Sequence, residues 1–330
     1  MAARRAGKKQ VHPDLDRLPR RLSPSRASDF KQCPKKFEYV TLDHLSSPPS
    51  MATTRGSLAH EAFERIFDHE AGTRTPDLAC TYILPAWAKL RDASVTDPDP
   101  ERQARLRERA GGYADLAPAG SVAEKELLTT TEAVVRSWFD MERVNNFTPP
   151  LIDLADGTTM DGREAHVTAD LFASTTGLNL HGYIDRLDRW VNPQGETVWA
   201  IGDYKTGKVP TAGKNYPKAT MDRILHESFF QLRVYALLCK EMLDIDVKYL
   251  RLIYVATGDK TNGIKTSLVT PAVLEATRRE VATIWADIVK AATAGVWKTK
   301  TGPLCPYCFF IDICPAFNPA MEGVKVTDRP

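Results

Sequence analysis

The spacing of apolar residues changes near residue 150 and divides the chain into two parts. Before that point apolar residues recur at intervals of three and four positions, which is the period of an α-helix. The first helix is predicted to begin at Ser23, where a capping hydroxyl precedes Pro24 at the first helical position. It is predicted to end at about Cys33, because Pro34 interrupts it.

Further helices are predicted along this first part. One spans Gly56 to Glu70. Its inward-facing apolar residues at helical spacing are Leu58, Phe63, Ile66 and Phe67. Other helices are predicted over residues 78–91, 99–110 and 121–141, and the segment ASVTDPDPE is predicted to be a loop.

After residue 150 the pattern predicts strands. The segments REAHVTADLF, LNLHGYIDRLDRWV and TVWAIGDYK carry β-branched and aromatic residues with partial alternation. Asn192-Pro193-Gln194-Gly195 predicts a turn that joins the last two into a hairpin. A helix over Met221 to Leu243, a strand over VKYLRLIYVAT and a closing helix over 271–295 complete the order. This order predicts a mixed α/β domain with helical material in front.

The composition allows a large buried core, since 43% of the 330 residues are hydrophobic. No apolar run approaches the length of a bilayer span, so a soluble protein is expected. Residues 1–26 hold eight Lys or Arg and two Asp, a net +6, whereas the remaining 304 residues carry −4. That first segment lacks the apolar stretch of a signal peptide and is predicted to be a flexible basic tail. It could contact nucleic-acid phosphates or simply keep the protein soluble.

Four of the six cysteines form a candidate metal site. Cys305, Cys308 and Cys314 make a C-x2-C-x5-C cluster, and Cys33 lies far upstream. Disulfides are not expected, because the chain has no secretory signal and is expected to be cytoplasmic. By spacing alone zinc and an iron–sulfur cluster fit equally well, and either would fasten the start of the fold to its end. A third alternative is that the four thiols are unrelated. The remaining two, which lie in apolar helical sequence and are expected to be inert, are Cys80 and Cys239.

Charged side chains of the predicted hairpin form a second candidate site. Side chains alternate along a strand, so Asp203 and Lys205 should project from one face while Tyr204 points away. Asp185, on the preceding strand, lies across a turn short enough for the two carboxylates to meet. Such a group could hold Mg²⁺, which takes one or two carboxylates and keeps several waters. A cross-strand salt bridge on a surface hairpin would use the same residues, so the spacing leaves both interpretations open.

Two neighbouring features are ambiguous. Residues 202–208 fit G-x4-G-K, the start of a nucleotide-binding loop. Val209 and Pro210 follow in place of the required hydroxyl residue and helix, so no such loop is expected. The lysines of the next segment either grip a DNA backbone or belong to a solvated linker, and they are Lys208, Lys214 and Lys218.

Several segments carry a family resemblance. They are SPSRASDFKQCPKKFEY (23–39), RGSLAHEAFERIF (55–67), GYIDRLD (182–188), IGDYKTGK (201–208), QLRVY (231–235) and the terminal cysteine cluster. With these motifs the chain resembles the RecB-type branch of the PD-(D/E)xK nuclease superfamily. Within that branch it is most similar to stand-alone RecB-family exonucleases and to the CRISPR-associated nucleases of spacer acquisition. Residues 77–150 match nothing in it.

The resemblance implies the fold and its division. It implies a restriction-endonuclease-like αβββαβ core, a helical N-terminal region and a [4Fe–4S] clasp that joins the N- and C-terminal segments. The expected order is a basic tail (1–22), a helical region with Cys33 and His60 (23–150), the nuclease core (151–300), the iron–sulfur cysteine segment (301–318) and a tail (319–330).

The resemblance also implies the roles of site residues. His60, Asp185 and Asp203 match the ligands of Mg²⁺ or Mn²⁺, and Lys205 matches the catalytic lysine. Glu164 resembles an acidic residue that is often found one strand before Asp185. The ligands that the resemblance implies for a [4Fe–4S] cluster, in preference to zinc, are Cys33, Cys305, Cys308 and Cys314.

A Q-x3-Y motif on the long helix completes the resemblance. Gln231 and Tyr235 share one helix face and could position DNA or the active site. Without the family pattern these two and His60 would be ordinary helix residues. Asp188 competes with Asp185 for the ligand role. Glu61 and Glu64, which flank His60 on the helix, could be merely solvated.

The function implied by the resemblance is that of a metal-dependent deoxyribonuclease. It is expected to be an exonuclease that acts on DNA ends or single strands in repair or recombination, with metal-bound water attacking phosphorus. Two alternatives remain open. One is a DNA-binding module that no longer cleaves, and the other is a nuclease subunit that is active only within a larger helicase-type complex.

Overall fold

The helices and strands come from a computed structural model that describes residues 14–92, 112–171, 178–210, 218–321 and 323–324, with only the backbone described for 218–221. The helices are α1 Pro24–Gln32, α2 Pro34–Phe37, α3 Met51–Arg65, α4 Pro76–Cys80, α5 Ile83–Arg91, α6 Val122–Met141, α7 Lys218–Ser228, α8 Phe230–Leu243, α9 Lys260–Gly263 and α10 Pro271–Ala294. The strands are β1 Arg21–Leu22, β2 Leu151–Asp153, β3 Thr159–Asp161, β4 Arg163–Ala169, β5 Asn179–Val191, β6 Thr197–Lys205, β7 Val247–Tyr254 and β8 Ile264–Leu268.

Most of the predicted elements agree with these bounds. Ser23 caps α1, where its hydroxyl accepts a hydrogen bond from the backbone N–H of Arg26 over 3.3 Å. Helix α3 begins five residues earlier than predicted, because Ser50 and Thr53 form a capping box in front of it. The apolar residues predicted to face inward are all buried, and they are Leu58, Phe63, Ile66 and Phe67. The predicted helix 99–110 and the loop before it lie outside the described residues.

The prediction of one helix from Met221 to Leu243 was wrong. The chain breaks at Phe229 into α7 and α8, and both Phe229 and Phe230 are buried. A guanidinium N–H of Arg233 donates to the carbonyl of His226 over 2.8 Å, which satisfies an acceptor at the end of α7. No glycine or proline marks this break, so the periodicity alone did not reveal it. Short strands were also missed, and they are β1, β2, β3 and β8.

The chain divides into two compact units. The terminal unit combines Met1–Ser47, Asp170–His181 and Glu275–Pro330, and the central unit combines Pro48–Ala169 and Gly182–Leu274. Cys33 belongs to the terminal unit and His60 to the central unit. Among the described helices none has the length and apolar character needed to cross a membrane.

A mixed sheet organises the central unit. Its strands follow the order β4-β5-β6-β7-β8, in which β5 and β6 are antiparallel, β6 and β7 parallel, and β7 and β8 antiparallel. The β5–β6 hairpin pairs Arg186 with Gly202, and its turn ends at Gly195, whose φ of 80° suits glycine. Helix α8 packs against β4, β6 and β7. A layer formed by α3, α4, α5 and α6 packs against the sheet through Tyr204 and Ile253. The fold is therefore mixed α/β, as the sequence predicted.

Aromatic packing joins distant segments inside the terminal unit. The ring of Phe37 stacks on that of Trp297 with centroids 5.6 Å apart, and Phe30 packs edge-on against both. The hydroxyl of Tyr39 donates to the carbonyl of Ile313 over 2.7 Å. Residues near the two ends of the chain therefore share one small core.

Candidate active site

His60 reaches the sheet because helix α3 approaches it closely. A Cβ on Gly56 would lie 3.2 Å from Oγ1 of Thr206, the residue after β6, so a glycine permits this contact. One turn later, Nε2 of His60 lies 3.1 Å from the carbonyl oxygen of Tyr204. A carbonyl oxygen can only accept, so Nε2 donates its proton in this contact. The lone pair of the neutral ring is then on Nδ1, which lies 3.6 Å from Oδ2 of Asp185.

Glu164 completes a group of three ligand-type side chains. One ligand atom from each of His60, Glu164 and Asp185 lies within 4.8 Å of the others. Glu164 has a φ of 42°, a backbone conformation that is strained for a residue other than glycine. Burial and the nearby Asp185 carboxylate raise the pKa of Glu164 to about 7. The strained backbone therefore holds a carboxylate in a place where negative charge is already crowded.

Asp203 and Lys205 lie together beside this group. Nζ of Lys205 is 2.6 Å from Oδ2 of Asp203, and the Asp203 side chain is only 5% exposed. The Asp203 carboxylate and the Lys205 ammonium therefore form a close ion pair. Burial raises the pKa of Asp203 to about 6, and the Asp185 carboxylate adds to the effect. Tyr204 points away into the α3–α6 layer, as the alternation of the strand predicted.

Asp188, the rival of Asp185, faces a different partner. Its Oδ1 lies 2.9 Å from Nε of Arg186, and Arg251 lies 3.9 Å away. The side chain is buried and satisfied by arginine, so it is not part of the three-residue group. Asp185 is the aspartate of this strand that the structure brings beside His60.

Comparison with known proteins identifies the family to which this chain belongs. The family model for the PD-(D/E)XK nuclease superfamily matches residues 21–315. The chain belongs to the PD-(D/E)XK nuclease superfamily. A crystal structure from Eubacterium rectale, described as a "Putative exonuclease", aligns with 98% of this chain and 96% of that chain at a TM-score of 0.52 and 13% identity. This likeness shows the fold alone. No curated protein matches the chain.

The donor set fits the divalent cations that PD-(D/E)XK nucleases use. Carboxylate oxygens with one imidazole nitrogen suit Mg²⁺ or Mn²⁺. The other ring nitrogen of His60 donates to a backbone carbonyl, as it commonly does in metal-ligating histidines. Asp203, whose pKa is raised in part by the Asp185 carboxylate, would supply a further oxygen beside this group. His60, Glu164, Asp185 and Asp203 are therefore the residues that would hold a cation.

The Q-x3-Y motif lies behind strand β5. Nε2 of Gln231 donates to the hydroxyl oxygen of Tyr235 over 2.8 Å. Burial raises the pKa of Tyr235 to about 12, although hydrogen bonds from Gln231 and from the backbone of Tyr183 lower it. A Cβ on Gly182 would lie 2.3 Å from Cε1 of Tyr235, so the ring packs directly on the strand backbone. The motif thus braces β5 just before Asp185.

A buried ion-pair network was not predicted from the sequence. Arg186 is 1% exposed, and its guanidinium donates to both carboxylate oxygens of Glu142 over 2.8 and 2.9 Å. It also donates to Oδ2 of Asp188 and to the hydroxyl of Tyr204. Trp138 donates its indole N–H to Glu142 over 2.7 Å. No simple sequence signal marked it, because Arg186 lies among other charged residues of the same strand, including Asp185, Asp188 and Arg189.

The other carboxylates and lysines considered as candidates are not part of the three-residue group. Glu61 pairs with Arg65 on the surface of α3, and burial, with the Glu61 charge, raises the pKa of Glu64. Lys208 is exposed, whereas Lys214 and the side chain of Lys218 lie outside the described residues.

The four clustered cysteines line one cavity of the terminal unit. This cavity has a volume of about 260 Å³, and its walls include Cys33, Cys305, Cys308 and Cys314. Backbone N–H groups of Lys300 and Gly302 point at the sulfurs of Cys33 and Cys305 over 3.4 and 3.3 Å. Burial, together with the other three thiols, raises the pKa of Cys314. Of the two isolated cysteines, Cys239 is fully buried and Cys80 is partly buried.

Proposed function

We propose that this chain is a metal-dependent deoxyribonuclease, specifically an exonuclease of RecB type that acts on DNA ends or single strands. The observation that carries the proposal is the convergence of His60, Glu164 and Asp185 beside the Asp203–Lys205 ion pair. Membership of the nuclease superfamily supports the reaction class. The sequence Asp203-Tyr204-Lys205 also matches the (D/E)XK part of the motif in the superfamily name.

The cation sets the chemistry that the residues must support. A divalent cation supplies Lewis acidity, which acidifies water and offsets negative charge on the phosphate. Glu164 and Asp185 would provide oxygen ligands and His60 would provide Nδ1, with Asp203 beside them as a further carboxylate. Oδ2 of Asp185 also accepts the backbone N–H of Tyr204 over 2.8 Å, which fixes the orientation of this carboxylate.

Lys205 acts as a positive charge beside the scissile phosphate. Burial disfavours its ammonium form, but the Asp203 carboxylate outweighs this effect and the pKa of Lys205 is raised. Its ammonium can therefore orient the attacking water or stabilise the charge that develops on phosphorus. The side chain is 38% exposed, so a DNA backbone can reach it.

The finer assignment rests on the resemblance to RecB-type nucleases. It supports an exonuclease mode, Mg²⁺ or Mn²⁺ as the cation, and a role in repair or recombination. DNA is the proposed substrate on the strength of this resemblance, and Lys205 and the cation would contact its phosphates without reading bases.

The proposal includes a [4Fe–4S] cluster in the terminal unit. Four thiols lie around one cavity, and as thiolates they would repel one another without a cationic centre. Backbone N–H groups directed at two of the sulfurs are the kind of contact that tunes such clusters.

The preference for iron–sulfur over zinc rests on the resemblance to RecB-type nucleases. Zinc sites also use C-x2-C pairs, so the cysteine pattern by itself suits either centre.

A cleavage assay tests the nuclease proposal. Labelled single-stranded and duplex DNA is incubated with the full chain and Mg²⁺ or Mn²⁺, and Lys205→Met is the matched variant. We expect progressive shortening from an end by the wild type and loss of at least 100-fold in rate for the variant. DNA that is bound but never cut with either cation would contradict the proposal in favour of a binding module.

Metal analysis tests the cluster. Anaerobically purified protein should be brown, absorb visible light and contain iron and sulfide in equal amounts. Cys308→Ala should lose this absorption and unfold at lower temperature, whereas Cys239→Ala should retain the absorption. A colourless protein that contains one zinc per chain would contradict this part.

A further inference from the structure

We propose that Tyr183 stacks on an unpaired nucleobase of the substrate, which makes single-stranded DNA the substrate class. The proposal rests on the nuclease function above. Tyr183 is 55% exposed and stands two residues before Asp185 on β5. Among the large apolar side chains of the central unit that the structure describes as exposed, Tyr183 is the one aromatic ring.

Two contacts across strands β4 and β5 form successive layers. Glu164 meets Asp185 in the ligand group, and two residues along β4 His166 meets Tyr183, with ring centroids 4.8 Å apart and planes inclined by 32°. Ala165 and Ile184, the intervening residues, are both buried, whereas Tyr183 is exposed. The aromatic pair therefore lies next to the ligand group along the same two strands.

The distance between these layers suits one nucleotide. Two residues of strand span roughly 7 Å. A phosphate at Asp185 would therefore leave the base of the same or the adjoining nucleotide beside Tyr183. Contact with His166 orients the tyrosine ring, and its high exposure leaves surface for a base.

This geometry selects unpaired strands. A base inside a duplex is covered on both faces by its neighbours, so a protein ring stacks only on a base that is splayed out. Stacking of this kind tolerates every sequence, because each base has an aromatic face. It would position the strand without reading it, which suits processive removal of nucleotides.

Binding measured without cleavage tests the assignment. Fluorescein-labelled single strands and blunt duplexes are titrated with the full chain in EDTA, and anisotropy is recorded. The variants are Tyr183→Ala, Tyr183→Leu and Tyr183→Phe. Val191→Ala is the matched control, because Val191 is 66% exposed on the same strand but six residues beyond Asp185.

We expect Tyr183→Ala and Tyr183→Leu to weaken single-strand binding about tenfold or more, the usual effect of losing one base–ring stack. Tyr183→Phe and the control should bind like the wild type, and the affinity for duplex should not change. A series of strands with one abasic position each adds a sharper test. At one of these positions the missing base should weaken binding to the wild type. The same missing base should not weaken binding to Tyr183→Ala any further.

The outcomes separate this assignment from the nuclease proposal. Unchanged single-strand affinity of Tyr183→Ala, or abasic and alanine effects that add, would overturn the stacking assignment even if DNA is cut. Binding that depends on Tyr183, from a chain that cuts no DNA with Mg²⁺ or Mn²⁺, would support stacking and overturn the nuclease function.

Discussion

The backbone N–H of Tyr204 donates a hydrogen bond to Oδ2 of Asp185 over 2.8 Å. Tyr204 separates Asp203 from Lys205, so this bond sets the position of the Asp185 carboxylate relative to both. The Tyr204 ring is buried against Phe63 and Trp138. The geometry of the candidate site is therefore held from behind by a packed core.

The two aspartates Asp203 and Asp188 should respond differently to loss of charge. Asp203→Asn should lower the single-turnover cleavage rate with Mn²⁺ by about 100-fold or more, because it removes the negative charge that would bind the cation and that pairs with Lys205. Asp188→Asn should cleave within a few fold of the wild type but unfold more easily by about 1–3 kcal/mol, since Arg186 loses a buried partner. An equal loss of cleavage in both variants would contradict the assignment of a site role to Asp203 and a structural role to Asp188.

The crowded carboxylates should destabilise the folded protein when no metal is bound. Glu164→Gln should increase the free energy of unfolding without metal by about 1 kcal/mol, because it removes a half-buried charge beside Asp185. Added Mn²⁺ should stabilise the wild type, as any ligand of the folded state does, and should stabilise the variant much less. Thermal unfolding with and without Mn²⁺ measures both effects. A variant that melts below the wild type without metal would contradict the prediction.

Gly182 should tolerate no side chain. In Gly182→Ala the new Cβ would lie 2.3 Å from the Tyr235 ring, so we expect a loss of about 1–3 kcal/mol in unfolding free energy from overpacking. Displacement of β5 should also reduce cleavage. Gly207→Ala is the control, because a Cβ there meets no atom within 4 Å. Urea unfolding compares the two, and similar effects would show that the ring does not brace the strand.

The buried Glu142–Arg186 pair should appear in the pH dependence of stability. Burial favours protonation, but the Arg186 charge outweighs it and the pKa of Glu142 is lowered in the folded protein. The pair therefore stabilises the fold above the unfolded pKa of about 4.3, and this contribution is lost as pH falls through the folded pKa. Glu142→Gln should cost about 3 kcal/mol at pH 7.

This difference from the wild type should shrink below about pH 4. Urea unfolding between pH 3 and pH 7 measures it. The exposed Glu126 on the same helix supplies a control, since Glu126→Gln should match the wild type throughout. A Glu142→Gln deficit that stays constant with pH would contradict the assignment.

Local patterns predicted elements well where burial follows a simple period. The Ser23 cap, the inward face around Phe63 and the strand that carries Asp203 all agree with the structure. The break at Phe229 was missed because neither glycine nor proline marks it and apolar residues continue through it. The expected ligand set was His60, Asp185 and Asp203, and the structure additionally groups Glu164 with His60 and Asp185.

By itself the sequence determined most of the elements and singled out the candidate site residues, because periodicity records local burial and the motifs resemble those of a known nuclease family. The tertiary structure decided which of them meet. The approach of His60 to Asp185, the strained placement of Glu164 and the bracing of β5 by Tyr235 depend on strand register and helix approach. These are relations between residues far apart in the chain, and no local pattern encodes them.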